Sequence, residues 1–391
     1  MPVIPEIAAA LEDMTAWRRD IHAHPELAFD EHRTSDLVAE RLKSFGIEVF
    51  RGIAKTGVVG RLKAGTGNRA IGLRADMDAL PIHEKNEIAY RSVHDGRMHA
   101  CGHDGHTTIL LGTARYLAKT RNFDGTVYFI FQPAEEGGGG GRVMVEEGLF
   151  ERFPVEAVYG LHNAARYPVG KFFTRPGPVM AASANFDLVI QGKGAHAARP
   201  ESGFDPVVAS GQVVSGLQTI VSRGVSAFDS AVVSVTKLNA GNAYNVIPEE
   251  VRIGGNCRAF KTAVMDRIEA GIRRIAEGTA AAHSATARLD FRRLYPPLVN
   301  HARETEIACE AAAEVVGSEN VDRNGQPRMA SEDFSFMLQA RPGAFIFLGN
   351  GDAEGSCDVH NPRYDFNDAI LPVGASYFSR LIERNLPKNR R

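Results

Sequence analysis

The sequence predicts an α/β protein in which a smaller α+β domain interrupts a larger one. Apolar runs of strand length alternate with amphipathic, helix-length stretches up to residue 180 and again after residue 295, a pattern typical of helices packed on a largely parallel sheet. Between these parts the order changes to strand, helix, two strands and a long helix. The length of 391 residues suits two domains. We therefore predict a larger domain of residues 1–180 and 295–391 and an inserted domain of residues 181–294.

The elements of the larger domain follow from the spacing of apolar residues. Apolar residues recur every three or four positions over 6–23 and 34–45, which predicts two amphipathic helices. A third helix is predicted over 107–117. Short apolar runs predict strands over 58–62, 70–73, 126–131, 155–161 and 344–348. After residue 295, helices are predicted over 302–316, 331–339 and 367–385.

The inserted domain is predicted from the same two periodicities. Its helices are expected over 206–221 and 263–283. Its strands are expected over 186–190, 231–238 and 251–260. This set is sufficient for an independent α+β unit.

Composition excludes several functional classes. The 45 lysines and arginines nearly cancel the 47 acidic residues, so the chain lacks the basic excess of nucleic-acid-binding proteins. No stretch approaches 18 apolar residues, and the first 25 residues contain no apolar segment, so we expect neither a membrane span nor a secretory signal. The four cysteines are scattered, which favours reduced thiols and a cytoplasmic location.

The densest chemical signal is the segment His-Ala-Cys-Gly-His-Asp-Gly-His over residues 99–106. In an extended segment, the side chains of Cys101 and His103 would point the same way. A thiolate and an imidazole so placed can bind a single metal ion, or one ion of a two-metal centre. The alternative is a polar surface turn. His99 and His106 fit supporting positions better than ligand positions, and Asp104 suits the start of a helix.

A second signal follows the predicted strand 126–131, where Glu135 and Glu136 are adjacent. Catalytic groups of α/β proteins gather at the carboxyl ends of strands, so one glutamate can bind metal while the other moves protons. A solvated surface pair is the alternative. His162 lies at the end of another apolar, strand-like segment, and His360 follows a glycine-rich turn near the end of the chain; each alone is more often structural.

Taken together, these side chains have the composition of a hydrolytic metal centre. Five of them can hold two divalent ions that share one ligand, with Glu135 beside the pair as a base. That layout is typical of metal-assisted hydrolysis. The five are Cys101, His103, Glu136, His162 and His360.

Two loops of the inserted domain also carry polar groups. His196 follows Gly192-Lys193-Gly194-Ala195, and Asn245 lies in the polar turn 240–248. A histidine in a domain without metal ligands suggests stabilisation of an oxyanion; an ordinary structural loop explains either residue equally well.

Ordered motifs along nearly the whole chain resemble those of one enzyme family. They cover residues 19–27, 74–81, 98–106, 131–138, 242–250, 331–334 and 360–362. The sequence resembles the metal-dependent amidohydrolases that include bacterial hippurate hydrolases, N-acyl-amino-acid amidohydrolases of the aminoacylase type and plant auxin–amino-acid conjugate hydrolases. The resemblance implies a two-metal, exopeptidase-like catalytic domain with an inserted lid and dimerisation domain.

The resemblance also assigns roles to individual residues. It implies that Cys101 bridges two metal ions bound by the five ligands named above, and that Glu135 is the general base. Asp78 corresponds to an aspartate that orients the site, and we expect Asp76 and Asp78 to support the ligands without binding metal themselves. His196 and Asn245 correspond to groups that polarise the substrate carbonyl, reaching the partner subunit's site. Arg258 is a candidate to bind the substrate carboxylate, with a surface ion pair as the alternative.

The function implied is hydrolysis of the amide of an N-acyl amino acid, with hippurate-like substrates favoured. We expect two divalent ions per subunit (manganese, zinc, cobalt or nickel), a homodimer or higher homo-oligomer, and no nucleic-acid or membrane partner. Residues 164–168 and Arg199-Pro200 depart from the family pattern near the expected pocket walls, so the acyl preference stays open. Alternatives are a deacetylase of N-acetyl-diaminopimelate or N-acetylcysteine, a dipeptidase or carboxypeptidase, and a non-catalytic binding protein.

Overall fold

A computed structural model describes residues 3–352 and 356–388, which divide into two compact units. The larger unit runs to Val179 and resumes over Val299–Gln326 and from Asp333 onward. The smaller unit comprises Met180–Leu298 and the short return Pro327–Glu332. No sequence pattern indicated that residues 327–332 belong to the smaller unit.

The strands and helices have the following bounds. The strands are β1 (Glu48–Ile53), β2 (Gly57–Ala64), β3 (Ala70–Asp76), β4 (Gly125–Gln132), β5 (Ala157–Ala165), β6 (Phe172–Phe173), β7 (Gly177–Met180), β8 (Ala182–Gln191), β9 (Ala195–His196), β10 (Ala231–Ala240), β11 (Val246–Ile247), β12 (Glu250–Ala259), β13 (Thr286–Tyr295), β14 (Leu298–Asn300), β15 (Val321–Asp322) and β16 (Gly343–Gly351). The α-helices are α1 (Pro5–Ala8), α2 (Leu11–Ala23), α3 (His32–Ser44), α4 (His103–Thr120), α5 (Gly140–Glu146), α6 (Leu149–Arg152), α7 (Pro206–Thr219), α8 (Thr262–Ala282), α9 (Ala302–Val316), α10 (Phe334–Ala340) and α11 (Leu371–Asn385).

The larger unit is built on a sheet with the strand order β1-β2-β4-β3-β5-β16-β6-β15. Its centre, β4-β3-β5-β16, is parallel, whereas β1 and β2 run antiparallel at one side. Every residue of β3 is buried, because helices cover both faces of a parallel sheet. The α/β class predicted from the alternating apolar runs is confirmed, although the sheet is mixed rather than parallel throughout.

The smaller unit contains an antiparallel sheet with the order β10-β12-β8-β13. Alternate residues of β8, including Phe186, Leu188 and Ile190, are buried in one apolar cluster with residues of α7 and α8. Strand β13 was not predicted, because charged residues alternate along this edge strand and few of its side chains are buried. Strands β9 and β11 form a separate short ribbon.

Two predicted helices differ from the observed ones. Helix α4 starts at His103 rather than residue 107, because the polar side chains of its first turn are buried instead of solvated. The predicted helix over 6–23 is interrupted at residues 9 and 10. In the described part of the chain, no helix is both long and apolar enough to cross a membrane.

Candidate active site

The predicted site residues of the larger unit gather at the carboxyl edge of its parallel strands. Asp76 ends β3, Glu135 and Glu136 follow β4, and His162 lies near the end of β5. Asp76 is paired in register with Gln132, the last residue of β4. Because parallel strands end at one edge of a sheet, this is where a catalytic cleft is expected in such folds.

The start of α4 places Cys101 and His103 on either side of a required glycine. Gly102 has φ of 95°, a conformation that side chains disfavour. A Cβ atom there would lie 2.3 Å from Oδ1 of Asn163. The expectation that Cys101 and His103 project from an extended segment is therefore wrong, since a left-handed turn followed by a helix start brings them together.

Among the described residues, five groups of three side chains have the chemistry of metal sites, and two of the five contain Cys101. Within each group, one potential ligand atom per residue lies within 4.8 Å of the others. The two groups that contain Cys101 are Cys101 with His103 and His162, and Cys101 with Glu136 and His360. Thiolate, imidazole and carboxylate donors suit zinc and related divalent ions. The five predicted ligands thus lie together, with Cys101 common to both groups.

The imidazole hydrogen bonds fit this donor set. Nδ1–H of His103 donates to Oδ1 of Asp78 at 3.1 Å, while its buried Nε2 has no hydrogen-bond partner among the described residues. Nδ1–H of His162 donates to the carbonyl of Asn163 at 2.7 Å, and its Nε2 lies 3.4 Å from Sγ of Cys101. In metal sites, the second ring nitrogen of a histidine is held in this way by a carboxylate or carbonyl. The residues present therefore fit a bound divalent ion.

The environment changes the protonation of these groups in opposite directions. Burial raises the pKa of the Cys101 thiol and lowers the pKa of His162 well below its usual value. Hydrogen bonds with Cys101 and Glu136 raise the pKa of His360 to about 10. A divalent ion requires a thiolate and neutral imidazoles, so binding to this cluster releases protons.

Asp76 lies behind the ligands in a fully buried network. Its Oδ1 accepts Nδ1–H of His106 at 2.6 Å, and its Oδ2 accepts Nη1–H of Arg74 at 2.8 Å. The backbone N–H of Asn163 donates to Nε2 of His106 at 3.0 Å. Burial opposes ionisation of Asp76, but His103 and Arg74 outweigh it and hold the pKa of Asp76 well below its usual value. The network ties β3 to α4 and β5.

Glu135 is buried beside the ligand groups. Its carboxylate lies within 4.8 Å of potential ligand atoms of His103 and Glu136. The next backbone amide, that of Glu136, donates to Oδ2 of Asp78 at 2.8 Å. A carboxylate so placed can accept a proton from a water at the metal groups.

A buried ionic cluster beneath α4 was missed by sequence reasoning. Asp104, in the first turn of α4, lies 2.8 Å from Nδ1 of His22 and 3.4 Å from Nη1 of Arg18. Nε2 of His22 lies 3.2 Å from Glu84. Burial opposes protonation of His22, but these two carboxylates outweigh it and raise its pKa to about 9. The available signal was that Arg18 and His22 share the buried face of α2 with Met14.

The site residues predicted in the smaller unit lie in its ribbon and sheet. His196 on β9 is paired with Val246, next to Asn245, and the backbone N–H of Ala197 donates to the Asn245 carbonyl at 3.0 Å. His196 is exposed. Its Nδ1 accepts the backbone N–H of Ala198 at 3.0 Å, and Nε2 takes no part in this hydrogen bond.

Arg258 on β12 has neutral partners. Its Nη1 donates to Oγ of Ser331 at 2.8 Å and its Nε to Oδ1 of Asn256 at 3.0 Å. No carboxylate among the described residues forms an ion pair with it, and its role in substrate binding stays a prediction.

Comparison with known proteins places the chain in a family. Residues 72–384 match the model of peptidase family M20/M25/M40. A hippurate hydrolase of Campylobacter jejuni is 43% identical over 99% of this chain and 100% of its own length. An N-acetylcysteine deacetylase of Bacillus subtilis is 39% identical over 93% of this chain and 94% of its own length.

A solved structure supports the same assignment. A dinuclear metal-binding peptidase of the M20 family from Bacillus subtilis is 35% identical, covers 97% of this chain and 99% of its own, and superimposes with a TM-score of 0.85. The match of the family model over most of the chain and the near-complete coverage by these relatives agree with the motifs at the strand ends. The chain belongs to peptidase family M20/M25/M40.

Proposed function

We propose that this protein is a two-metal amidohydrolase that cleaves the amide bond of N-acyl amino acids. The products are a carboxylic acid and a free amino acid. One observation carries the proposal: two groups of potential metal ligands share Cys101, and Glu135 lies beside them. The identity with a hippurate hydrolase over the full chain supports a hippurate-like substrate.

Each residue has a definite part in this proposal. Two divalent ions, held by Cys101, His103, Glu136, His162 and His360, would polarise the amide carbonyl and lower the pKa of a water. Glu135 accepts a proton from the attacking water and delivers it to the departing amine nitrogen. Asp78 and Asp76 orient the ligands and the Glu135 loop through the hydrogen bonds described above.

The smaller unit supplies substrate contacts in the proposal. His196 and Asn245 polarise the carbonyl oxygen in the site of a partner subunit, for which the exposure of the His196 ring is suitable. Arg258 binds the substrate carboxylate, since the described residues give its guanidinium no competing carboxylate. Large apolar side chains exposed on this unit favour a homodimer formed through it; they include Val208, Phe228, Leu238 and Tyr244.

The cellular setting is part of the same proposal. Cys101, Cys257 and Cys309 are buried free thiols. Reduced thiols are typical of the cytoplasm, where we place the enzyme. Its metal is one of manganese, zinc, cobalt or nickel, because each accepts the mixed sulfur, nitrogen and oxygen donors.

A second candidate function is deacetylation of an N-acetyl amino acid. The 39% identity with an N-acetylcysteine deacetylase favours it. It uses the same chemistry and differs in the size of the acyl pocket. The two candidates therefore predict different substrate preferences and the same metal requirement.

Amine release from a substrate panel tests both candidates. The panel contains N-benzoyl, N-acetyl and indole-acyl amino acids and dipeptides, assayed with manganese, zinc or cobalt and again with a chelator. We expect chelator-sensitive release, fastest from N-benzoyl amino acids. Preference for N-acetyl compounds would support the deacetylase, preference for dipeptides a peptidase. No release with any metal would contradict the proposed function.

A further inference from the structure

The loop that presents Glu135 contains a conformation that requires support. Ala134, immediately before Glu135, has φ of 54°, in the left-handed region that residues other than glycine rarely adopt. Such a conformation persists where surrounding contacts hold it. The contacts at Ala134 therefore determine how the next side chain is presented.

The carboxylate of Glu31 provides this contact. Its Oε1 accepts the backbone N–H of Ala134 at 2.9 Å and that of Phe29 at 3.0 Å. Its Oε2 accepts the hydroxyl of Thr56 at 2.5 Å. Because Asp78 accepts the backbone N–H of Glu136, carboxylates hold the main chain on both sides of Glu135.

A purely local role for Glu31 does not account for these contacts. Glu31 immediately precedes α3, yet its side chain makes no capping hydrogen bond to that helix, whose residues are all described. It reaches instead a residue 103 positions away. Burial raises the pKa of Glu31 to about 7, so ionising this carboxyl group in place is less favourable than in water. An exposed capping residue would carry no such cost.

We propose that Glu31 is a positioning residue that fixes the main chain at Ala134 and thereby aims the carboxylate of Glu135. This inference rests on the proposed function, in which Glu135 is the base. If Glu31 acts in this way, the length of its side chain and its acceptor oxygen are required, and its charge matters less. Two substitutions separate these properties.

Glu31→Gln keeps the length and one acceptor oxygen for both backbone N–H groups, while its amide can donate to Thr56. Glu31→Asp keeps the charge and is one methylene too short to reach Ala134 in the same way. We expect E31Q to lose less than about threefold in kcat and E31D to lose about 10- to 100-fold, because a misdirected base slows the chemical step. KM and metal content stay close to those of the wild type.

Asp124→Ala is the matched control. Asp124 likewise accepts two backbone N–H groups, those of Thr66 and Gly67, at 2.8 and 2.6 Å, but does not contact the Glu135 loop. We expect this variant to lower Tm while leaving kcat unchanged. If it lowers kcat as E31D does, the effect of E31D is general destabilisation and the positioning role is overturned.

The remaining outcomes are equally decisive. An active E31D with an inactive E31Q would mean that charge rather than reach matters, and loss of metal from E31D would place the effect on Glu136. Either result overturns the inference, as does wild-type kcat in both variants. If the wild type itself releases no amine, the proposed function fails. Hydrogen exchange of segment 133–138 then tests the contact without turnover: faster exchange in E31D than in E31Q supports it, and equal exchange contradicts it.

Discussion

Nδ1–H of His103 donates a hydrogen bond to Oδ1 of Asp78 at 3.1 Å, and the other oxygen of Asp78 accepts the backbone N–H of Glu136 at 2.8 Å. One carboxylate thus orients an imidazole of helix α4 and the loop after β4. Both proposed ligands depend on it, although they are 33 positions apart in the numbering.

Substituting Asp78 by asparagine should weaken metal binding. The amide keeps the size of the side chain but places an N–H₂ group against either His103 or Glu136, both of which donate. Loss of an outer hydrogen bond to a metal ligand typically costs about 10- to 100-fold in affinity. Titration with a competing chelator measures this. Asp124→Asn is the control, and equal affinity in D78N and wild type would contradict the orienting role.

Substituting Glu135 by alanine should strongly lower turnover and leave metal content intact. Loss of a general base costs typically about 10²- to 10⁴-fold in rate, and Glu135 does not belong to either group of proposed ligands that contains Cys101. Metal analysis of the purified variant, together with kcat for the preferred substrate, provides the measurement. Unchanged turnover would remove Glu135 as the base.

Substituting Cys101 by alanine should remove metal as well as activity. Cys101 is the member common to both ligand groups, so its loss affects two sites at once. We expect less than the full complement of two ions per subunit after dialysis, against full retention in the Glu135→Ala variant. Full metal retention in C101A would show that the thiol is not a shared ligand.

Mixing two inactive variants tests the proposed role of His196 in a partner's site. His196→Ala should lower turnover by about 10²- to 10³-fold, the cost of losing one oxyanion donor, with metal content unchanged. In a heterodimer of H196A with E135A, one site has an intact Glu135 and receives His196 from the other subunit. Activity should therefore reappear on mixing. If the mixture stays inactive although heterodimers form, His196 does not act across subunits.

The stability of the protein should fall between pH 6.5 and 9 because of His22. Its pKa in the folded protein is raised to about 9 from 6.5, so the folded state binds more protons in this range and the free energy of unfolding decreases as pH rises. The contribution is present below pH 6.5 and is lost above 9. A shift of this size corresponds to about 3 kcal/mol.

Denaturant unfolding of wild type and His22→Gln at several pH values measures this contribution. Groups that do not contact His22 titrate alike in both proteins, so the difference in unfolding free energy reports on His22 together with its partners Asp104 and Glu84. We expect the wild type to lose stability relative to H22Q as the pH rises from 6.5 to 9. A difference independent of pH would contradict the raised pKa.

Much of the fold was predictable because its signals are local. The buried strands β4, β5 and β16 contain continuous apolar runs, and the predicted segments fall within or overlap them. Edge strands such as β13 were not predictable, since a half-exposed strand needs little apolar sequence. Helix α4 was predicted to start late because its first turn is polar and buried by contacts with Asp76 and Asn163.

Some residues of the candidate site were predictable from the sequence and others were not. Cys101, His103, Glu135, Glu136, His162 and His360 were indicated by their chemistry. Glu135, Glu136 and His162 were also indicated by their position near predicted strand ends. Arg18, His22 and Glu31 resembled ordinary polar residues of an N-terminal helical segment. Their partners lie far along the chain, up to 350 positions away for Arg18 and Asp368.

The sequence by itself determined the α/β class, the family resemblance and the set of chemically capable side chains, because apolar periodicity and donor chemistry are properties of neighbouring residues. Only the tertiary structure decided that Asp78 bonds both the His103 ring and the backbone N–H of Glu136 and that Glu31 holds the main chain at Ala134. Each of these depends on a separation of about 3–5 Å between atoms of distant residues, and such separations arise only when the sheet and helices pack.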